Sequence, residues 1–297
     1  MRWQGKRKSS NVEDRRGQRV AAGGGLLAGV VRFVPMLLKT KMGRMVLIIG
    51  VIGYFAAQMF GVNIAPNLSS DQQAGSSAPL SAEQKELGEF VATVLADTED
   101  TWHSLLQQKN LNYREPVLVL FTQAVQSACG MAGSAMGPFY CPADEKVYID
   151  LSFYQDLKSR HGAPGDFAQA YVIAHEVGHH LQKVMGTTDK VRRAQQTVSK
   201  SEANQLSVRL ELQADCYAGV WGHHAHNQRG LLEPGDLEEA LTAAAAIGDD
   251  RLQKQAQGRV TPDSFTHGSS DQRVRWFRKG FEYGDFTLCN TFNTNQL

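Results

Sequence analysis

The chain has 297 residues, 42% of them hydrophobic and 21% charged, with a formal net charge of +1. That length and apolar content suit one sizeable core once a tail and an anchor are set aside, and argue against several large domains. The near-neutral total hides a split. Eleven Lys or Arg against Glu13 and Asp14 give residues 1–44 a balance of +9, so residues 45–297 carry −8.

In chain order, residues 1–44 form a basic N-terminal segment. An arm of this kind could bind nucleic acid, but it runs directly into Met45 to Val62, eighteen residues without a charge. As a helix that stretch reaches about 27 Å, close to the hydrocarbon thickness of a bilayer, so one transmembrane helix is expected at 45–62. Lys39, Lys41 and Arg44 place the N-terminus in the cytoplasm and residues 63–297 outside it. An uncleaved signal anchor fits better than a cleaved signal peptide, because the basic region is too long and no small-x-small site follows. The bilayer is thereby an expected partner, no nucleic acid is expected, and membrane proximity accounts for the basic charge. The earlier apolar run, 26–38, is broken by Arg32 and Pro35 and fits the membrane surface better than a span. Residues 63–80 are rich in Ser, Gly and Pro and read as a flexible linker.

A domain is expected over 81–297. Leu87, Phe90, Val91, Val94, Leu95, Trp102 and Leu105 recur at helical spacing to about residue 108. Residues 116–121 and 146–151 are the clearest strands, and Val147 to Leu151 is the candidate edge strand for pairing with an extended substrate, unless it is interior. Helices then dominate, at about 166–185, 189–228, 235–257 and 270–280. All four cysteines (129, 141, 216 and 289) lie beyond the apolar segment, and none forms a CxxC pair. Of three possible connectivities, 129 with 141 and 216 with 289 are preferred: one closes a short loop, the other pins the C-terminal tail.

The chemistry concentrates at His175-Glu176-Val177-Gly178-His179, an HExxH pattern. Residues four apart share a helix face, so the two imidazoles can reach one metal while Glu176 reaches a water beside it. Asp166 is the expected N-cap of this helix. A catalytic zinc needs a third protein ligand, and Glu211 is the best candidate. Asp215, one turn further on, would accept a hydrogen bond from the outer nitrogen of a liganding histidine. The exchanged assignment, with Asp215 as ligand, stays open. His223, His224 and His226 read as a surface or structural feature.

HEVGHH at 175–180 and ELQADCYAGVWGHH at 211–224 resemble the bacterial neutral zinc metallopeptidases, a family of single-span membrane proteins. MRWQG at the start, NVEDRR at 11–16, ACG at 128–130, GPFYCPAD-x-KVYIDLSFY at 137–154 and HGSSDQRVRWF at 267–277 extend the resemblance. It implies a mainly helical α+β, zincin-like metallopeptidase domain with a small β-sheet beside the active-site helix, preceded by one transmembrane helix. It also implies one zinc per chain and placement in the inner membrane. More distantly, the order of motifs is similar to the gluzincin heat-shock membrane and prenyl-protein proteases. That similarity makes Glu211 the third ligand and Asp215 its supporting residue. His267 falls where those proteases carry Thr-His-Pro, but Gly268 replaces the proline. His267 would then steady a transition-state oxyanion, cover the zinc at rest, or simply cap the following helix.

The expected activity is a membrane-anchored, zinc-dependent endopeptidase of the cell envelope, with Glu176 as general base and a peptide or protein as substrate. The alternatives are a catalytically silent zinc-binding envelope adaptor and a zinc hydrolase acting on non-peptide amides or esters. The oligomeric state is not legible.

Overall fold

The computed structural model describes residues 1–18 and 79–297. Residues 1–17 and 79–297 form one compact unit, mainly helical with a small mixed sheet.

Strands β1 (Val12–Asp14), β2 (Val117–Phe121), β5 (Phe139–Cys141) and β6 (Lys146–Asp150) lie in the order β1-β2-β6-β5. The first three in that order are mutually parallel, whereas β5 runs antiparallel to β6. A separate hairpin, β3 (Ala124–Ser127) and β4 (Gly130–Gly133), intervenes in the chain. Successive side chains of a strand point to opposite faces. Leu118, Leu120, Val147 and Ile149 therefore enter the main core with the helices, while Val119, Phe121 and Tyr148 close a smaller cluster with the hairpin's Val125 and Ala132.

The described helices are α1 (Ala82–Gln107), α2 (Ser152–Ser159), α3 (Asp166–Val184), α4 (Thr187–Gln195), α5 (Lys200–Asn227), α6 (Asp236–Ala246), α7 (Asp249–Gln257) and α8 (Ser270–Tyr283). Three begin with reciprocal capping boxes, Ser81 with Gln84, Ser199 with Glu202 and Ser269 with Gln272, which satisfy otherwise orphaned backbone N–H groups. Missing side chains let the functional helices approach closely. A Cβ at Gly178 would stand 3.0 Å from Ala214 Cα, so α3 and α5 meet backbone to backbone at the HExxH turn. Where α5 crosses α8, a Cβ at Gly219 would lie 2.0 Å from the Phe277 carbonyl oxygen, and one at Gly280 2.0 Å from that of Cys216.

Both preferred disulfides are present, Cys129 with Cys141 and Cys216 with Cys289. Several boundaries differ from the sequence reading. The stretch 189–228 is two helices, because the Ser199 capping box starts α5 afresh. The stretch 235–257 also divides: the Asp249 N–H donates to the Gly268 carbonyl, a tertiary bond, and opens α7. Gly165 rather than Asp166 occupies the N-cap of α3. Val147 to Leu151 is not an edge strand, since β6 is paired on both sides; the edges are β1 and β5.

The expectation of a preceding transmembrane helix is corrected. No helix among the described residues is long and apolar enough to cross a membrane. The expected anchor at 45–62, the surface run at 26–38 and most of the linker lie outside the described residues. The single-pass inner-membrane topology is corrected with it, for a physical reason. Residues 1–17 pack on the unit that carries the HExxH helix, so one crossing at 45–62 cannot divide a cytoplasmic N-terminus from an external domain. The Met1 amine lies 3.0 Å from both Asp166 and Glu233, Trp3 packs edge-on against Phe90, and β1 pairs with β2. Lys146 meets Glu13 at 2.6 Å. Part of the basic arm thus serves as structure.

Candidate metal centre and its cavity

Helix α3 is buried almost throughout from Phe167 to Gln182, so its polar residues must find partners inside the fold. His175 and His179 lie one turn apart, and Glu211 reaches them from α5. Glu211 Oε2 is 3.2 Å from His175 Nε2, and its Oε1 is 3.4 Å from His179 Nε2. One donor atom from each of the three falls within 4.8 Å of the others.

The outer nitrogens are engaged elsewhere. His175 Nδ1 lies 2.8 Å from Asp215 Oδ1, and His179 Nδ1 lies 2.9 Å from Gln182 Oε1. A carboxylate and an amide oxygen only accept, so each imidazole donates from Nδ1, which leaves Nε2 as the nitrogen that a metal would share with Glu211. Two imidazole nitrogens and a carboxylate make a donor set suited to zinc. The electrostatics agree. Burial opposes charge on both histidines, yet Asp215 and Glu211 raise the pKa of His175 to about 10, and Glu211 raises that of His179. Burial pushes Glu211 up, but the two histidines outweigh it and hold its carboxyl well below the ordinary range. The cluster is one that calls for positive charge, which a divalent cation supplies.

Asp215 does not face this space. Its fully buried carboxylate accepts from Tyr171 (2.6 Å), His175 Nδ1 and Arg273 Nε (2.9 Å). Arg273 Nη2 adds a bond to each of Asp215 and the Tyr171 hydroxyl. Burial raises the Asp215 pKa, but Arg273 and His175 bring it down to about 2. Glu211 thus faces the two Nε2 atoms and Asp215 the outer nitrogen of His175.

Glu176 is 7% exposed and makes no side-chain hydrogen bond to another described residue; burial raises its pKa. It opens onto a cavity of about 700 Å³ shared with His175, His179, Glu211 and His267. The β5 residues Phe139 and Tyr140 form part of one wall. His267 is exposed at the rim, with Nδ1 3.2 Å from Asp249 Oδ1, a hydrogen bond that raises its pKa. The Asp249 carboxylate also accepts from the backbone N–H groups of Thr266, His267 and Gly268, so the loop is held tightly without a proline. His223 and His224 bind the carbonyls of Phe281 and Gly284, a structural role.

Four residues around this site were not singled out from sequence: Arg273, Tyr171, Gln182 and Asp249. Arg273 carried a readable signal. It precedes Trp276 and Phe277 at helical spacing, and an arginine on an apolar stripe needs a buried carboxylate. Gln182 lies three residues after His179 and so shares its face.

The site joins an HExxH helix to a carboxylate-bearing helix over an open cavity, and comparison with known sequences gives the chain a family. Residues 1–292 match the family described as "Putative neutral zinc metallopeptidase", and the chain belongs to that family. The protein YpfJ of Escherichia coli strain K12 is 52% identical over 293 residues, covering 98% of this chain and 99% of its own. Mb2605 of Mycobacterium bovis and Rv2575 of Mycobacterium tuberculosis are 43% identical over 206 residues, covering 66% of this chain and 67% of theirs. All three bear names that call them uncharacterized. No solved structure matches. Membership brings zinc and a hydrolase of peptides as the family-level assignment.

Proposed function

We propose that the chain is a zinc-dependent endopeptidase in which His175, His179 and Glu211 hold one metal ion and Glu176 is the general base. The observation that carries this reading is the convergence of three donors within 4.8 Å, with both histidines' outer nitrogens already engaged. A structural zinc site closes its fourth position with protein, whereas a catalytic one leaves it for water. Only three donors converge here among the described residues, beside a buried carboxyl that no structural site would require. That argues against a silent adaptor.

Zinc bound there would supply Lewis acidity to a water and to the scissile carbonyl. Glu176 takes the water's proton and later returns it to the leaving amine, a task for which its unpartnered, buried carboxyl is suited. His267, which lines the cavity and is held by Asp249, steadies the developing oxyanion. An extended substrate aligns along β5, the edge strand of the sheet whose Phe139 and Tyr140 line the cavity. That alignment favours a peptide over a small amide or ester. The two disulfides fit an oxidising compartment.

The test is zinc content together with turnover of a peptide library. One zinc per chain is expected in the wild type and in Glu176→Gln, with turnover reduced by about 10²–10⁴-fold in the variant. Loss of zinc in Glu176→Gln would exchange base and ligand; a folded wild type that never takes up zinc would sink the reading.

A further inference from the structure

Behind His179 runs a chain of amides that ends outside the helix pair. Gln182, 1% exposed, receives the His179 Nδ1–H on its Oε1. Its Nε2 donates to the Leu210 carbonyl at 2.7 Å and to Gln213 Oε1 at 3.2 Å. Gln213, 5% exposed, donates in turn to the carbonyl of Cys289 at 3.0 Å. Cys289 is disulfide-bonded to Cys216, and both are fully buried. Two residues on, Thr291 Oγ1 donates to the Arg209 carbonyl at 2.7 Å, and Arg209 returns bonds to the carbonyls of Thr291 and Thr294.

The direction of this chain is fixed by groups that cannot change role. The carbonyls of Cys289 and Leu210 can only accept, so the amide nitrogens of Gln213 and Gln182 must face them. The Gln182 oxygen is then left for His179, which must donate from Nδ1, and that leaves the His179 Nε2 lone pair for the space beside Glu211. A reversed Gln182 would place two donors on one proton site and set its own oxygen against the Leu210 carbonyl. Leu210 is the residue before Glu211, so the same amide also ties the HExxH helix to the ligand helix at the level of the site. Gln182 and Gln213 are themselves buried, where an unmade hydrogen bond costs most.

We propose that Gln182 and Gln213 are positioning residues through which the disulfide-clamped C-terminal tail sets the tautomer and aim of His179. This rests on the metal-site reading above and extends it to residues 289–294, distant in sequence from every candidate ligand. The tail is thereby a working part of the site, held in place by Cys216–Cys289.

The experiment is zinc affinity by competition with a chromogenic chelator, measured on the full chain alongside thermal unfolding of the metal-free protein. Gln182→Leu is expected to bind zinc about 10–100-fold more weakly, in line with the loss of other hydrogen-bond partners behind liganding histidines. The metal-free melting temperature of Gln182→Leu is expected to fall by no more than a few degrees, a split between zinc affinity and stability that a purely structural role would not produce. Gln213→Leu is expected to weaken binding by up to about tenfold, and to add nothing in the Gln182→Leu background, because the two act in series. Cys216→Ala/Cys289→Ala is expected to match Gln213→Leu; should it fail to fold, the glutamine variants decide. The proposal is overturned if Gln182→Leu binds zinc as the wild type does, if its lost affinity comes with an equally large loss of metal-free stability, or if the Gln213 loss persists in full beside Gln182→Leu. A wild type that binds no zinc would instead bring down the metal reading, and the relay with it.

Discussion

The two histidines of the HExxH turn leave the same helix and are supported by opposite kinds of chemistry. His175 is held by charge: Asp215, fully buried, is shared among His175, Tyr171 and Arg273. His179 is held by neutral amides that end on a backbone carbonyl of the C-terminal tail. Charged support is strong where its members are all present and costly where one is missing. Neutral support is weaker and more forgiving. The difference teaches that one site can join an electrostatic anchor, drawn from α8, to a directional one drawn from the tail.

The largest effect is expected on the charged side. Arg273→Leu leaves the Asp215 carboxylate buried without its cation, a change of the type that costs about 3–5 kcal/mol. In a domain of this size that lowers the melting temperature by about 10 °C or more. Thermal unfolding checks it. An unchanged melting temperature would mean that His175 and Tyr171 alone satisfy the carboxylate, and the contrast with the amide side would disappear.

What the sequence made legible follows the same division between local and distant. The HExxH turn and the Glu211–Asp215 spacing are written within one helical turn each, and the structure brings Glu211 to both Nε2 atoms and Asp215 to the Nδ1 of His175. Arg273 stands 58 residues from Asp215, and Gln213 stands 76 from Cys289; no periodicity reports such pairs. Strand β1 is three residues long and finds its partner more than a hundred residues away, so the first residues showed as family motifs and an excess of charge, not as a strand. Charge composition tells where cations are, not what they pack against. The breaks before α5 and α7 were obscured because helix formers run through both regions, and a capping serine and a tertiary bond from Asp249 decided the boundary.

A series in acid tests the comparison, since the Asp215 carboxylate titrates there and the amides do not. The folded-state pKa of Asp215 lies at about 2, below its unfolded value of 3.8. Its stabilisation, about 2 kcal/mol from that shift, is therefore complete above pH 4 and is lost as the pH falls towards 2. Denaturant unfolding of wild type and Asp215→Asn should differ at pH 5 and converge only at about pH 2 or below. Gln182→Leu should differ from wild type by the same amount over that acid range. Convergence of the Gln182→Leu curve under acid would show that the amide relay depends on the charged side and is not an independent support.

The smallest effect tests whether the neutral member of the charged network behaves like the neutral relay. The Tyr171 hydroxyl donates to Asp215 and accepts from Arg273, while its ring packs edge-on against Phe277 at 5.3 Å. Tyr171→Phe keeps the ring and removes only the hydroxyl, leaving the Asp215–Arg273 pair with two bonds of its own. A loss of about 1 kcal/mol in denaturant unfolding is expected, the ordinary worth of a neutral hydrogen bond, with zinc affinity altered by no more than a few-fold. A loss approaching that of Arg273→Leu would mean that the four groups act as one cooperative unit, in which case the hydroxyl is as much a part of the His175 anchor as the guanidinium. Double-mutant coupling between Tyr171→Phe and Arg273→Leu separates these outcomes: near-additive losses leave charge as the source of the support, and strong non-additivity places it in the network.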